Sequence, residues 1–196
     1  NVLNGTYQTA GDAQWPLPEA PIARASVHTN GTEGNGYSSS TAISADGRYV
    51  AFQSSASNLV DGDNNGTGYS GRDVFVHDRE TGTTERVSVH SNGTEGNSSS
   101  YSASMSADGR YVSFYSYASN LVDGDNNGQQ DIFVHDRETG ATARVNVHSN
   151  GTEANDYIHY AYAKISDDGR SILFNSNASN LVGGDNNGYA DIFVHD

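Results

Sequence analysis

One block of sequence occurs three times in this chain, with Arg48, Arg110 and Arg170 marking the same point in each copy, 62 and then 60 residues apart. Tandem self-similarity of this kind restricts the fold severely. Each copy must be one supersecondary unit that buries its apolar faces against its neighbours. The copies match in order. Arg24-Ala-Ser-Val-His, Arg86-Val-Ser-Val-His and Arg144-Val-Asn-Val-His each precede a Thr/Ser-Asn-Gly-Thr-Glu turn. Ser44-Ala-Asp-Gly-Arg-Tyr-Val-Ala-Phe, Ser106-Ala-Asp-Gly-Arg-Tyr-Val-Ser-Phe and Ser166-Asp-Asp-Gly-Arg-Ser-Ile-Leu-Phe come next, then Ala-Ser-Asn-Leu-Val from Ala56, Ala118 and Ala178. Asp73-Val-Phe-Val-His-Asp, Asp131-Ile-Phe-Val-His-Asp and Asp191-Ile-Phe-Val-His-Asp complete the copies.

Every copy reads as four strands. Strand A is short and serine-rich (Thr41–Ser44, Ala103–Ser106, Ala163–Ser166) and ends in an Asp-Gly turn, a strong hairpin signal. Strand B alternates from Tyr49 to Phe52, and strand C is Val74–Val76, Ile132–Val134 and Ile192–Val194. Strand D is expected over Thr84–Val89 and Thr142–Val147. No window keeps a capped 3.6-residue period, so the expected class is all-β with essentially no helix. Four antiparallel strands repeated in tandem are the signature of propeller blades.

The Ser-x-Asp-Gly-Arg-Tyr-Val-x-Phe segment followed by Asp-Ile-Phe-Val-x-Asp-x-x-Thr-Gly resembles the TolB-like, or PD40, β-propeller repeat family over roughly residues 24 to 196. That resemblance implies a scaffold role and a location outside the cytoplasm, periplasmic or secreted, with no catalytic residues to carry over. It also implies a six-bladed ring. Propeller folds host many unrelated activities, so fold alone names no function.

Ile22–His28 matches strand D, and the third copy stops after strand C, so the chain reads D, ABCD, ABCD, ABC. The expected organisation is an extended arm over residues 1–21, with Pro16, Pro18 and Pro21, then blades at 41–89, 101–147 and 163–196. Three blades fall short of the roughly four to eight that close a propeller. The leading expectation is a homodimer in which Ile22–His28 of one copy completes the last blade of the other. An open filament built by the same strand donation, or a piece of a longer chain, are the alternatives.

Between strands B and C lies an acidic loop: Asp61, Asp63 and Asn65, closed by Asp73; then Asp123, Asp125 and Asn127, with Gln129 and Asp131; then Asp185 and Asn187, with Tyr189 and Asp191. The spacing Asp-x-Asp-x-Asn-Gly-x-x-Asp resembles the first half of an EF-hand loop and the calcium repeats of thrombospondin type 3. Oxygen ligands at alternate positions suit Ca2+, with a carbonyl from Gln129 or Tyr189. The bidentate Glu that ends an EF-hand is missing, Gly183 replaces the first acid of the third copy, and the four-residue insertion before Asp73 leaves its reach open. The competing reading is an Asx-rich turn without metal.

The formal net charge of −14 argues against nucleic acid, whose binding needs cationic side chains. No apolar run reaches the length of a membrane-spanning helix. A first residue Asn1 rather than Met fits a processed product, and the chain has no cysteine. Six of seven histidines fall in two repeated series, His28, His90, His148 and His77, His135, His195, which points to blade structure. Catalysis needs a unique constellation, whereas nearly every polar candidate here occurs three times. The unrepeated features are Trp15, the Gly68–Arg72 insert, and Tyr157, His159, Tyr160 and Tyr162. The expected function is therefore a non-enzymatic, calcium-stabilised module for self-assembly and protein contact. A sugar-binding propeller is the first rival, and a hydrolase or lyase with its site at the channel mouth is the second.

Overall fold

The computed structural model describes residues 22–65, 71–158 and 163–196, and among these no helix occurs. The first unit comprises β1 (Ser38–Ile43), β2 (Tyr49–Ser54), β3 (Asp73–Asp78) and β4 (Thr84–Arg86), hydrogen-bonded in that order as an antiparallel sheet. The second repeats it with β5 (Ser100–Met105), β6 (Tyr111–Ser116), β7 (Asp131–Asp136) and β8 (Ala141–Arg144). The third has β9 (Ala163–Ile165), β10 (Ile172–Ser176) and β11 (Asp191–His195). These are propeller-type blades, and the all-β expectation is met.

The alternation of each strand explains how the sheets stack. One face of the first sheet (Ala51, Val74, Val76, Val87) packs on the opposite face of the second (Met105, Val112, Phe114, Phe133). The second sheet's other face (Ile132, Val145) packs on Ile165, Ile172 and Phe174 of the third. The inner strands β1, β5 and β9 adjoin across the sheets. Their turns are stitched together, since Ala45 N donates to Ala107 O at 2.8 Å and Ala107 N to Asp167 O at 2.9 Å. The Asp-Gly turns permit this approach. A Cβ on Gly109 (φ +75°) would lie 2.4 Å from Tyr49 Cδ2.

Two strand boundaries differ from expectation. Strand A starts earlier, at Ser38 and Ser100, because a bulge with Ser40 at φ +50° and Ser102 at φ +56° lets the serine-rich segment keep pairing. Strand D ends earlier, at Arg86 and Arg144 instead of Val89 and Val147. The ladder is taken over there by side chains: Val74 N donates to Ser88 Oγ at 3.1 Å and Ile132 N to Asn146 Oδ1 at 2.8 Å. Ile22–His28 belongs to no named strand within one chain; Val27 makes an isolated bridge to Glu33, as Val89 does to Glu95. The arm over residues 1–21, most of the Gly68–Arg72 insert, and His159, Tyr160 and Tyr162 lie outside the described residues. Among the described residues no helix is long and apolar enough to cross a membrane.

Candidate metal centre

The acidic loop is pinned where it leaves the core, by Leu59 in the first unit and Leu121 in the second, both fully buried. From there it turns inward. The Asp63 side chain is 1% exposed. Asn65 Nδ2 donates to Asp73 Oδ2 at 2.8 Å, so the insertion does not keep Asp73 from the loop. Ser88 Oγ donates to the other Asp73 oxygen at 2.6 Å. Glu95 arrives from the turn after β4; its carboxylate accepts from the Asn64 and Asn65 amides, each at 3.0 Å. Asp63, Asp73 and Glu95 each offer an oxygen atom within 4.8 Å of the others. Arg86 Nη1 sits among them, 2.7 Å from Glu95, 3.5 Å from Asp63 and 3.6 Å from Asp73.

The second unit rebuilds the same arrangement from Asp125, Asp131, Arg144 and Glu153. Arg144 Nη1 lies 3.3 Å from Asp125, 3.3 Å from Asp131 and 2.6 Å from Glu153. Asn127 Nδ2 donates to Asp131, and Asn146 Nδ2 donates to it at 2.5 Å. Asn127 Oδ1 accepts from the Gln129 amide at 2.8 Å, while the Gln129 residue itself is exposed. In the third unit Asn187 Nδ2 donates to Asp191 Oδ2 at 2.9 Å and Asn187 Oδ1 accepts from Tyr189 N at 2.8 Å. Asp185 and Asp191 are half-buried there and Tyr189 is exposed. Among the described residues no Arg or Glu joins them.

Asp61 and Asp123 do not join these clusters. Their side chains are fully exposed, each 3.7 Å from a histidine Nε2, that of His28 and His90 respectively. The alternation that puts Asp63 inside puts Asp61 outside. Glu95 and Glu153 are members that the loop spacing does not announce. Their Asn-Gly-Thr-Glu turn repeats with the blades, but local sequence carries no sign that the turn folds back onto the preceding loop. Arg86 and Arg144 enter the clusters from the strands themselves, paired opposite Phe75 and Phe133 at the ends of β4 and β8.

The clusters are electrostatically unbalanced. Burial pushes the Asp63 carboxyl up to about 7, with the Asp73 charge adding to the rise and Arg86 opposing it. Asp125 is pushed up to about 6 for the same reasons, burial first and Asp131 next. Asp73 and Asp131 are also raised, chiefly by burial. Asp63 Oδ1, Asn65 Oδ1 and both Asp125 oxygens are buried without a hydrogen-bond partner. Buried polar atoms ordinarily find one; the cation nearest Asp63 Oδ1 and Asp125 Oδ1 is the guanidinium of Arg86 or Arg144, at 3.5 and 3.3 Å.

Other repeated polar residues of the first two units serve blade structure. Arg48 grips Asp78 with two hydrogen bonds (3.0 and 2.7 Å), and Arg110 grips Asp136 likewise (2.8 and 2.7 Å). Those guanidinium bonds hold both aspartates well below the usual carboxylate range. His77 and His135 are buried, with Nδ1 at 2.9 Å from Thr84 and Thr142 Oγ1. His28, His90 and His148 each accept at Nδ1 from an amide two residues on.

No protein-family model and no curated protein matches the chain. Solved structures do. The β-propeller domain of the trilobed protease from Pyrococcus furiosus is 16% identical, covering 71% of this chain and 34% of its own, with a TM-score of 0.45. TolB from Acinetobacter baumannii is 20% identical, covering 84% of this chain and 33% of its own, at 0.44. A prolyl endopeptidase structure is 17% identical, covering 90% of this chain and 23% of its own, at 0.50. The chain thus spans about a third or less of these three proteins. At such identity the likeness concerns fold, not chemistry.

Proposed function

We propose that the chain is a non-enzymatic, extracytoplasmic propeller module whose loops are locked by calcium. The observation that carries this reading is the convergence of Asp63, Asp73 and Glu95, recurring as Asp125, Asp131 and Glu153, in which Asp63 Oδ1, Asn65 Oδ1 and both Asp125 oxygens are buried without a hydrogen-bond partner. With all three carboxylates ionised, as a bound cation would hold them, the one guanidinium leaves two negative charges, which matches a divalent cation. The ligands are hard oxygens, as Ca2+ prefers, and Cys is absent. The third unit, with Asp185, Asn187 and Asp191 alone, is the weakest site. The ion's work is mechanical: it ties the B–C loop to the start of strand C and to the turn after strand D.

Thermal melting tests this. Extracellular calcium modules bind at about 10⁻⁴–10⁻³ M, so roughly 10 mM Ca2+ supplies up to about 2.7 kcal/mol for each occupied site. For a chain of this size that raises Tm by roughly 5–10 °C. The Asp63→Asn/Asp125→Asn variant should fold and lose the rise. An unchanged wild-type Tm, or a rise that survives in the variant, overturns the proposal.

A sugar-binding alternative is favoured by one unrepeated feature. Tyr101 stacks on Tyr115 at 5.1 Å, and Tyr117, 54% exposed, stands edge-on to both. The matching residues of the first unit are Ser39, Gln53 and Ser55. Tyrosine faces stack on sugar rings. Glycan-array binding lost in Tyr117→Ala would support it.

A further inference from the structure

The acidic centres of the first two units each enclose a cation of their own. The Arg86 side chain, at the end of β4, is 9% exposed among Asp63, Asp73 and Glu95. That of Arg144, at the end of β8, is 8% exposed among Asp125, Asp131 and Glu153. Neither guanidinium fits its carboxylates closely. Arg86 Nη1 makes one short contact, 2.7 Å to Glu95 Oε1, and stands 3.5 and 3.6 Å from the two aspartates. Arg144 Nη1 repeats this, with 2.6 Å to Glu153 and 3.3 Å to each aspartate. Nε of both arginines is buried without a hydrogen-bond partner, and so are Asp63 Oδ1 and both Asp125 oxygens. Arg48 and Arg110 show how a fitted pair looks in the same chain. Each holds a single aspartate through Nε and Nη2, at 2.7 to 3.0 Å. Donors and acceptors left apart in one buried cluster forfeit bonds that such groups ordinarily make. Charge, more than hydrogen-bond geometry, keeps Arg86 and Arg144 where they are.

We infer that Arg86 and Arg144 are resident counter-ions that compete with the divalent cation for the aspartates, and so set how tightly each centre binds it. This rests on the calcium reading of the same centre. The guanidinium and the ion face the same carboxylates, and like charges a few ångströms apart repel even at the effective dielectric of a protein. When the ion enters, the guanidinium keeps Glu95 Oε1, its one close partner, and yields Asp63 and Asp73. It stays inside the centre, so the balance of charge with a divalent ion is kept. When the ion leaves, the guanidinium returns to the aspartates and stops three buried carboxylates from forcing the loop off strand C. The arginine thus gives up affinity for the ion and gains a loop that stays docked without it.

The test compares wild type with Arg86→Gln/Arg144→Gln, purified in calcium, each titrated against a chelator of known calcium affinity. The variant should bind calcium at least roughly tenfold more tightly, because the competing charge is gone. Once calcium is stripped, it should melt below stripped wild type. Arg86→Lys/Arg144→Lys, which keeps the charge, should stay within roughly threefold of wild type. A second measurement needs no variant to fold. In 15N-labelled wild type, the Nε–H signals of Arg86 and Arg144 should shift as calcium is added, while those of Arg48 and Arg110 stay in place. Affinity in the Gln variant equal to or weaker than wild type overturns the competition and leaves the calcium reading standing. So do Arg86 and Arg144 signals that stay still while calcium binds. Binding by the Gln variant alone upholds the competition and overturns the calcium reading of the natural chain. Binding by neither overturns both.

Discussion

At the residue scale, neighbours decide what a repeated side chain is worth. Gly109 and Gly124 both have φ +75°, but only Gly109 is also crowded, by Tyr49. Gly124→Ala should cost about 1 kcal/mol from the left-handed backbone alone. Gly109→Ala should cost roughly two to three times as much, read from urea midpoints, because overpacking adds to the backbone strain. Buried His135 has a pKa below its ordinary 6.5, because burial disfavours the cation. The unfolded chain then takes up a proton that the folded one resists, so this contribution to stability is lost as pH falls through 6.5 and levels off below the folded pKa. His135→Asn, which can keep the bond to Thr142, should flatten the stability profile between about pH 7 and 5 relative to wild type. An identical slope in both proteins would contradict the assignment.

At the element scale, strands B and C were legible because alternation and Asp-Gly turns belong to local sequence. Strand ends were not. Nothing local distinguishes Val87–Val89 from a continuing strand; the ladder stops because Ser88 and Asn146 offer side-chain acceptors that only three-dimensional pairing brings to Val74 and Ile132. Ser88 is fully buried, and Ser88→Ala removes a partner from both the Val74 amide and Asp73. A loss of about 2–3 kcal/mol is expected in chemical denaturation, the usual cost of stranding a buried polar group. The acidic site was half legible for the same reason. Asp63, Asn65 and Asp73 carry a spacing signal, but Arg86 joins them only through the pairing of β4 with β3, and Glu95 only because the turn after strand D folds back onto the loop.

At the scale of the whole molecule, the three copies behave as one device repeated with declining completeness. Sheets meet face to face, the Arg48–Asp78 and Arg110–Asp136 pairs tie strand B to strand C, and one acidic centre recurs beside each strand C. In the third unit Val182 is exposed and, among the described residues, no guanidinium reaches Asp191. On the proposed reading, calcium held between Asp63, Asp73 and Glu95 ties the B–C loop to strand C and to the turn after strand D. A crystal structure from calcium-containing solution, with an anomalous difference map, reads this most directly. Expected is a peak within about 2.3–2.6 Å of oxygens of all three, repeated at Asp125, Asp131 and Glu153. Featureless density there, with Arg86 alone filling the space between the carboxylates, would contradict it.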